Sequence, residues 1–187
     1  LLRAALAMPW RAMGVVIGGA GAAAMARTSG YRPGTDRRLA AVSPWQFAVL
    51  QHAAKRIAAP DRPQDGSIPS ADTLDVARFV DGWMARMPER ARRDFGRFLL
   101  VVEYAAPLRL GFASRFTRLS PARQDEVLAA LEASWSDLLR AGFQGLKSLV
   151  YLGFYSDRRS WSVIGYDGPR VGRPAAGWGD GMGSDAR

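Results

Sequence analysis

A single histidine, His52, and no cysteine in 187 residues leave this chain few groups with which to do chemistry. Without a thiol there is no Cys nucleophile, no thiolate zinc site and no disulfide staple. Any catalytic triad or histidine-ligated metal must run through His52 alone. His52 falls almost opposite Phe47, Leu50, Ala54 and Ile57, which recur at helical spacing, so it is expected to be solvated or to face a partner. Glu103 follows the apolar run Phe98, Leu99 and Val102 and has two readings, a buried general acid or a carboxylate paired with a nearby arginine. No second carboxylate stands at a spacing that would complete an acid–base pair. Dinucleotide, P-loop and HExxH signatures are missing, as is any internal repeat.

The net charge is +9 and the pI is near 10.9, a balance that would suit nucleic acid or an acidic surface. Of the 26 basic residues only Lys55 and Lys147 are lysine; the arginine bias, with abundant Ala and Gly, reads as the codon usage of a GC-rich genome. The basic residues do not interleave with aromatics in one stripe, so nucleic acid is not an expected partner. A basic helical module for anionic lipid or nucleic acid remains the alternative reading.

The elements that position these residues are helical. Ser43-Pro44 and Ser120-Pro121 each supply a capping hydroxyl and a first-turn proline. Helices are expected from Ser43 to about Ile57, over 71–87 with Leu74, Ala77, Val80, Met84 and Met87 inward, and from Pro88 to about Tyr104. On this third helix Phe95, Phe98, Leu99 and Val102 share one side and Arg90, Arg93 and Arg97 the other. That basic stripe is either a solvated face or a seat for an acidic partner or anionic lipid heads. Pro107 begins a short helix or irregular stretch through Phe116, and Val127, Leu128 and Leu131 make the helix after Pro121 amphipathic. The longest helix, about 134–154, carries Trp135, Leu138, Leu139, Phe143, Leu146, Leu149 and Val150 on one broad face and is expected to be the centre of the bundle. Gly142 and Gly145 on it would admit a second backbone. Only Trp161–Tyr166 looks strand-like, and it is too short to build a sheet.

The expected fold is all-α, an irregular bundle of about five or six helices ending in a Gly/Pro/Arg-rich tail. Its segments are a signal-like or membrane-anchor stretch (1–26), a polar linker (27–42), a helical domain (43–169) and a flexible tail (170–187). In the first, Arg3 and Arg11 precede the uncharged run Ala12–Ala26, which closes on Ala24-Met25-Ala26. That is the layout of a secretory signal. It is also compatible with a short anchor or an Ala/Gly helix of the mature fold. The expected location is the exported, periplasmic side or the cytoplasmic membrane.

Residues 42–169 carry a set of motifs: Val42-Ser43-Pro44 through Arg56-Ile57-Ala58-Ala59-Pro60-Asp61, Leu119-Ser120-Pro121, Gly153-Phe154-Tyr155-Ser156-Asp157, Trp161, and Ile164-Gly165-Tyr166-Asp167-Gly168-Pro169. With these motifs the chain resembles the gluconate 2-dehydrogenase subunit 3 family, small subunits that accompany FAD-dependent GMC-type dehydrogenases. Two features differ from that pattern: residues 1–11 show no Arg pair, and Arg158-Arg159-Ser160 stands where close relatives of gluconate dehydrogenase often carry a Gly-Gly-Asn stretch. The resemblance implies a non-catalytic subunit, with no cofactor in this chain and FAD in a GMC-type large partner. A c-type cytochrome or the membrane surface would be further contacts, and the large subunit's substrate, a sugar acid or another alcohol or polyol, stays open. Residues expected at the partner are Tyr155, Ser156, Asp157, Trp161, Ile164, Gly165, Tyr166, Gly168 and Pro169. Asp157 would cap the local turn, and the aromatics would either anchor the partner or close the end of the bundle.

Overall fold

Ser43-Pro44 starts a helix as its chemistry dictates: Ser43 is extended, Pro44 takes the first turn, and Gln46 Oε1 accepts the Ser43 N–H at 2.7 Å. The computed structural model describes Tyr31 and residues 38–59 and 69–168. The apolar run 12–26, the tail 170–187 and Pro169 lie outside the described residues. The helices are α1 (Pro44–Ile57), α2 (Val76–Ala85), α3 (Glu89–Leu100), α4 (Ala106–Arg109), α5 (Pro121–Glu132) and α6 (Asp137–Tyr155). A π-helical turn, Val101–Ala105, joins α3 to α4, and 3-10 turns cover Phe116–Arg118 and Arg158–Ile164. The described residues contain no strand, and the fold is all-α.

The most enclosed helix is α1, although the long α6 also packs against four others, α1, α2, α3 and α5, and so holds the central place expected of it in contacts. Helix α1 packs against α2, α3, α5 and α6, and only Pro44 and Lys55 along it are exposed. Phe47, Leu50 and Ala54 form the expected buried face, but Val49 and Ala53 are buried too, so the helix is enclosed on more than one side. Burying each large apolar side chain of this kind contributes roughly 1.5–3 kcal/mol. By contrast, α6 is enclosed on one side only. Leu139, Phe143, Leu146 and Val150 point inward, while Leu138 is 63% exposed and Trp135, just before the helix, is 67% exposed. The broad face drawn from helical spacing is therefore too wide at its N-terminal end, where no neighbouring helix reaches.

One expected helix is interrupted, and one expected boundary is bridged. Residues 71–75 form a separate turn that Asp75 ends in the left-handed region (φ 49°), with Val76 N–H returning to Ala71 O at 3.0 Å. Asp is among the few non-glycine residues that tolerate this conformation. The bridged boundary is at Pro107. Its missing N–H and its ring disrupt the i→i−4 ladder, and the chain widens just ahead of it into the π turn, where Ala106 N–H reaches Val101 O. The helical path thus continues through Arg109 instead of restarting at Pro107. Asp81, fully buried on the inward face of α2, accepts the backbone N–H groups of Ala40 (2.8 Å), Ala41 (2.8 Å) and Val42 (3.0 Å). Residues 40–42, at the end of the polar stretch, are thereby fastened to the core.

Gly142 and Gly145 differ sharply. A Cβ on Gly142 would run into the Phe98 ring, so a side chain rather than a second backbone makes the close approach there; a Cβ on Gly145 would meet nothing within 4 Å. Gly145→Ala is therefore expected to stabilise the fold by about 0.5–1 kcal/mol through helix propensity. Gly142→Ala should destabilise it by about 1–3 kcal/mol through overpacking. Urea denaturation of the two variants checks the opposite signs.

Candidate partner-binding site

The end of α6 is built as a rigid cap. Ser156 follows the last helical residue and donates its hydroxyl to Gly153 O (2.8 Å). Asp157 then caps the 3-10 turn, accepting Arg159 N–H (2.9 Å), Nε (3.0 Å) and Nη2 (2.8 Å). These bonds from the Arg159 guanidinium and backbone hold the Asp157 carboxyl down to about 2. Ser160 is fully buried, and its single hydroxyl proton lies between Phe154 O (2.7 Å) and Asp157 O (2.8 Å). This local bonding explains why Trp161–Ile164, strand-like by composition, is a 3-10 turn.

Trp161 is stitched to the bundle: its indole N–H donates to Tyr155 O at 2.9 Å, and its ring meets that of Tyr166 edge-on at 4.9 Å. Gly165 is left-handed (φ 62°), which lets Tyr166 N–H return to Trp161 O at 3.0 Å. Gly168 is also at positive φ (109°) and lies so close that a Cβ would come within 3.2 Å of the Trp161 ring. The nine residues expected at the partner thus separate by role in the fold. Tyr155, Asp157 and Trp161 are partly buried and Gly168 is buried, whereas Ser156, Ile164, Gly165 and Tyr166 are exposed; Pro169 lies outside the described residues. Ile164 (58%) and Tyr166 (43%) are joined at this end by Leu152, 45% exposed near the end of α6. Leu152 was not among the expected residues. It lies outside the inward stripe of α6, a position that helical spacing does show.

The titratable groups singled out by type occupy interior positions. Glu103 lies within the π turn and has no exposed surface. Its Oε1 accepts the hydroxyls of Tyr31 and Thr117 (2.7 Å for the latter), with Arg115 Nε at 3.7 Å, and its Oε2 accepts Thr117 N–H at 3.1 Å. The Arg115 guanidinium also covers the Tyr31 ring at 4.1 Å. The arginine-paired reading of Glu103 is the one the geometry supports. Burial pushes its carboxyl up, and the bonds from Tyr31 and Thr117 and the Arg115 charge pull it partly back. Burial, reinforced by Glu103, raises Tyr31 far above the usual phenol range, so it remains a donor. Thr117, Arg115 and Tyr31 carry no motif that would have marked them. Asp81 does have a signal: it falls in register with Ala77, Val80 and Met84 on an apolar face.

His52 is a correction to the expectation. It is half-buried, and its Nδ1 lies 2.9 Å from Nε2 of the buried Gln124, which also donates to Phe116 O at 3.0 Å. Because α1 is enclosed, the side opposite its apolar face meets α5 instead of solvent. The two amide protons of Gln124 serve Phe116 O and His52 Nδ1, which assigns the neutral imidazole with its proton on Nε2. Burial first, then the Lys55 charge, lowers the His52 pKa. Among the described residues no cluster of three or more His, Asp or Glu could hold a metal ion.

These shifts give opposite pH slopes. The folded-state pKa of Glu103 is raised, so its contribution to stability is full below the unfolded carboxyl pKa and declines as pH rises through the folded value. That of His52 is lowered, so its contribution is present above the unfolded imidazole pKa and declines as pH falls through the folded value. Denaturation free energies compared at about pH 7 and about pH 5 should therefore fall less steeply on acidification in His52→Gln than in the natural chain, and more steeply in Glu103→Gln. Equal slopes in all three would contradict the assignment.

Comparison with curated proteins and with solved structures finds no match. The family model for gluconate 2-dehydrogenase subunit 3 matches residues 44–168, from the first residue of α1 to the buried glycine that closes the C-terminal cap. With two thirds of its length covered by that match, the chain belongs to the gluconate 2-dehydrogenase subunit 3 family.

Proposed function

We propose that this chain is the non-catalytic small subunit of a GMC-type alcohol or sugar dehydrogenase. It binds and stabilises a large partner that carries the FAD and helps export it or hold it at the cytoplasmic membrane. Family membership supports a place in a dehydrogenase complex. Within the chain, the observation that carries the reading is the contrast at the C-terminal cap. Asp157, Ser160 and Trp161 are locked by bonds of the fold, while Leu152, Ile164 and Tyr166 remain exposed on that rigid base. Exposed apolar and aromatic side chains on a pre-ordered support bind with little ordering cost, which favours an interface.

In this reading the chain supplies no reacting group. FAD bound in the partner would supply the redox chemistry at the CH–OH donor, and a c-type cytochrome or quinone outside this subunit would take up the electrons. Residues 1–26 direct the chain to the export machinery or the membrane. Among the described residues no helix is long and apolar enough to cross a bilayer.

Co-expression of the tagged chain with the products of its flanking genes tests the proposal. A large partner with flavin absorbance should be retained, and Ile164→Ala combined with Tyr166→Ala should weaken its retention by about 1–3 kcal/mol while leaving helicity unchanged. A colourless chain recovered alone, or a complex indifferent to both substitutions, would contradict it.

A further inference from the structure

A groove of about 400 Å³ runs between α1 and α3, at a distance along the chain from the C-terminal cap. Trp45, Met84, Phe95 and Leu100 contribute apolar surface to it. Arg92, Arg93 and Arg97 stand along it with one carboxylate, that of Glu89. The groove therefore gathers part of the arginine stripe of α3 beside an apolar floor, a combination that solvation alone does not require.

Its polar groups are almost all donors. Glu89 is engaged by Arg93 (3.1 Å), and Arg97 by Asp94 (3.1 Å), in pairs between exposed side chains. Such pairs are weak and open readily to a competing carboxylate. Among the described residues Arg92 makes no ion pair, and neither the Trp45 indole N–H nor the Gln46 side-chain amide N–H has a hydrogen-bond partner. Gln46 spends its oxygen on Ser43 N–H, which leaves the NH2 end as the lining group. An occupant that matches this inventory brings acceptors and negative charge for the edge and an apolar side chain for the floor. A flat anionic bilayer supplies the charge but not an inserted side chain.

We infer that the groove seats an acidic segment of the dehydrogenase partner, with carboxylates at Arg92 and Arg97 and an apolar side chain against Trp45 and Phe95. This rests on the accessory-subunit reading and adds to it a second contact, on the α1–α3 side of the bundle. The complex would then be held by an apolar contact at the C-terminal cap and a charge-steered one here.

The test uses the full chain co-expressed with its dehydrogenase. Arg92→Glu combined with Arg97→Glu reverses the groove, and Arg90→Glu, on the same helix outside the groove, is the control. Both groove positions are exposed, and Arg92→Gln with Arg97→Gln serves if the reversal perturbs the circular dichroism. The double variant should retain at least ten-fold less flavoprotein, with the control within two-fold of the natural chain. Unchanged retention by the double variant, while Ile164→Ala with Tyr166→Ala weakens the complex, would overturn the groove and leave the accessory reading standing. A natural chain that retains no dehydrogenase would overturn both. Sedimentation with phosphatidylglycerol vesicles runs alongside: loss of vesicle binding with intact dehydrogenase retention would assign the arginines to a membrane and overturn the proposal.

Discussion

A carboxylate with no exposed surface has to be compensated by the atoms around it, and Glu103 draws three separate parts of the chain together for that purpose. Tyr31 comes from the stretch before α1, Arg115 and Thr117 from the connection after α4, and the carboxylate itself from the π turn that Pro107 forces into the helical path. Removing one partner would leave a buried charge under-compensated, which costs more than the pair contributes. The cluster therefore specifies where α3 ends and where the long connection to α5 returns. Asp81 does a related job on α2 by gathering three consecutive backbone N–H groups of residues 40–42. Among the described residues both buried acids, Asp81 and Glu103, serve as structural ties.

Around those ties the bundle is organised by α1, whose alanines let neighbouring helices close on it. Ala53 and Ala54 are buried beside Phe47, Val49 and Leu50, and the helix touches four others. Enclosure of α1 accounts for the position of His52, which faces Gln124 across the α1–α5 contact. Helix α6 packs against four helices as well but keeps one side open, and the cap that follows it carries exposed Ile164 and Tyr166.

Much of this architecture is legible in the sequence. Ser-Pro starts mark α1 and α5, and the inward residues of α2, α5 and the middle of α6 follow from period alone. Long-range partners are what spacing does not show. Thr117 and Arg115 carry no local signature of pairing with Glu103, and the exposure of Trp135 and Leu138 depends on where neighbouring helices stop. At the C-terminal motif the glycines and Asp157 read as turn chemistry, whereas the division between Trp161, bound into the fold, and Tyr166, left outside, depends on the long reach of the Trp161 indole back to Tyr155 O. Helical amphipathicity likewise found the arginines of α3 but not the apolar groove beside them, because Trp45 is supplied from α1.

The most direct test of the account is amide hydrogen exchange on the full chain, alone and in complex with the flavoprotein recovered with it. Slower exchange on binding is predicted over 161–168 and over the first turns of α3, with no change across the Glu103 cluster at 101–118. Uniform exchange across the chain in both states, or protection confined to 101–118, would contradict a subunit that binds through its C-terminal cap and its arginine-edged groove.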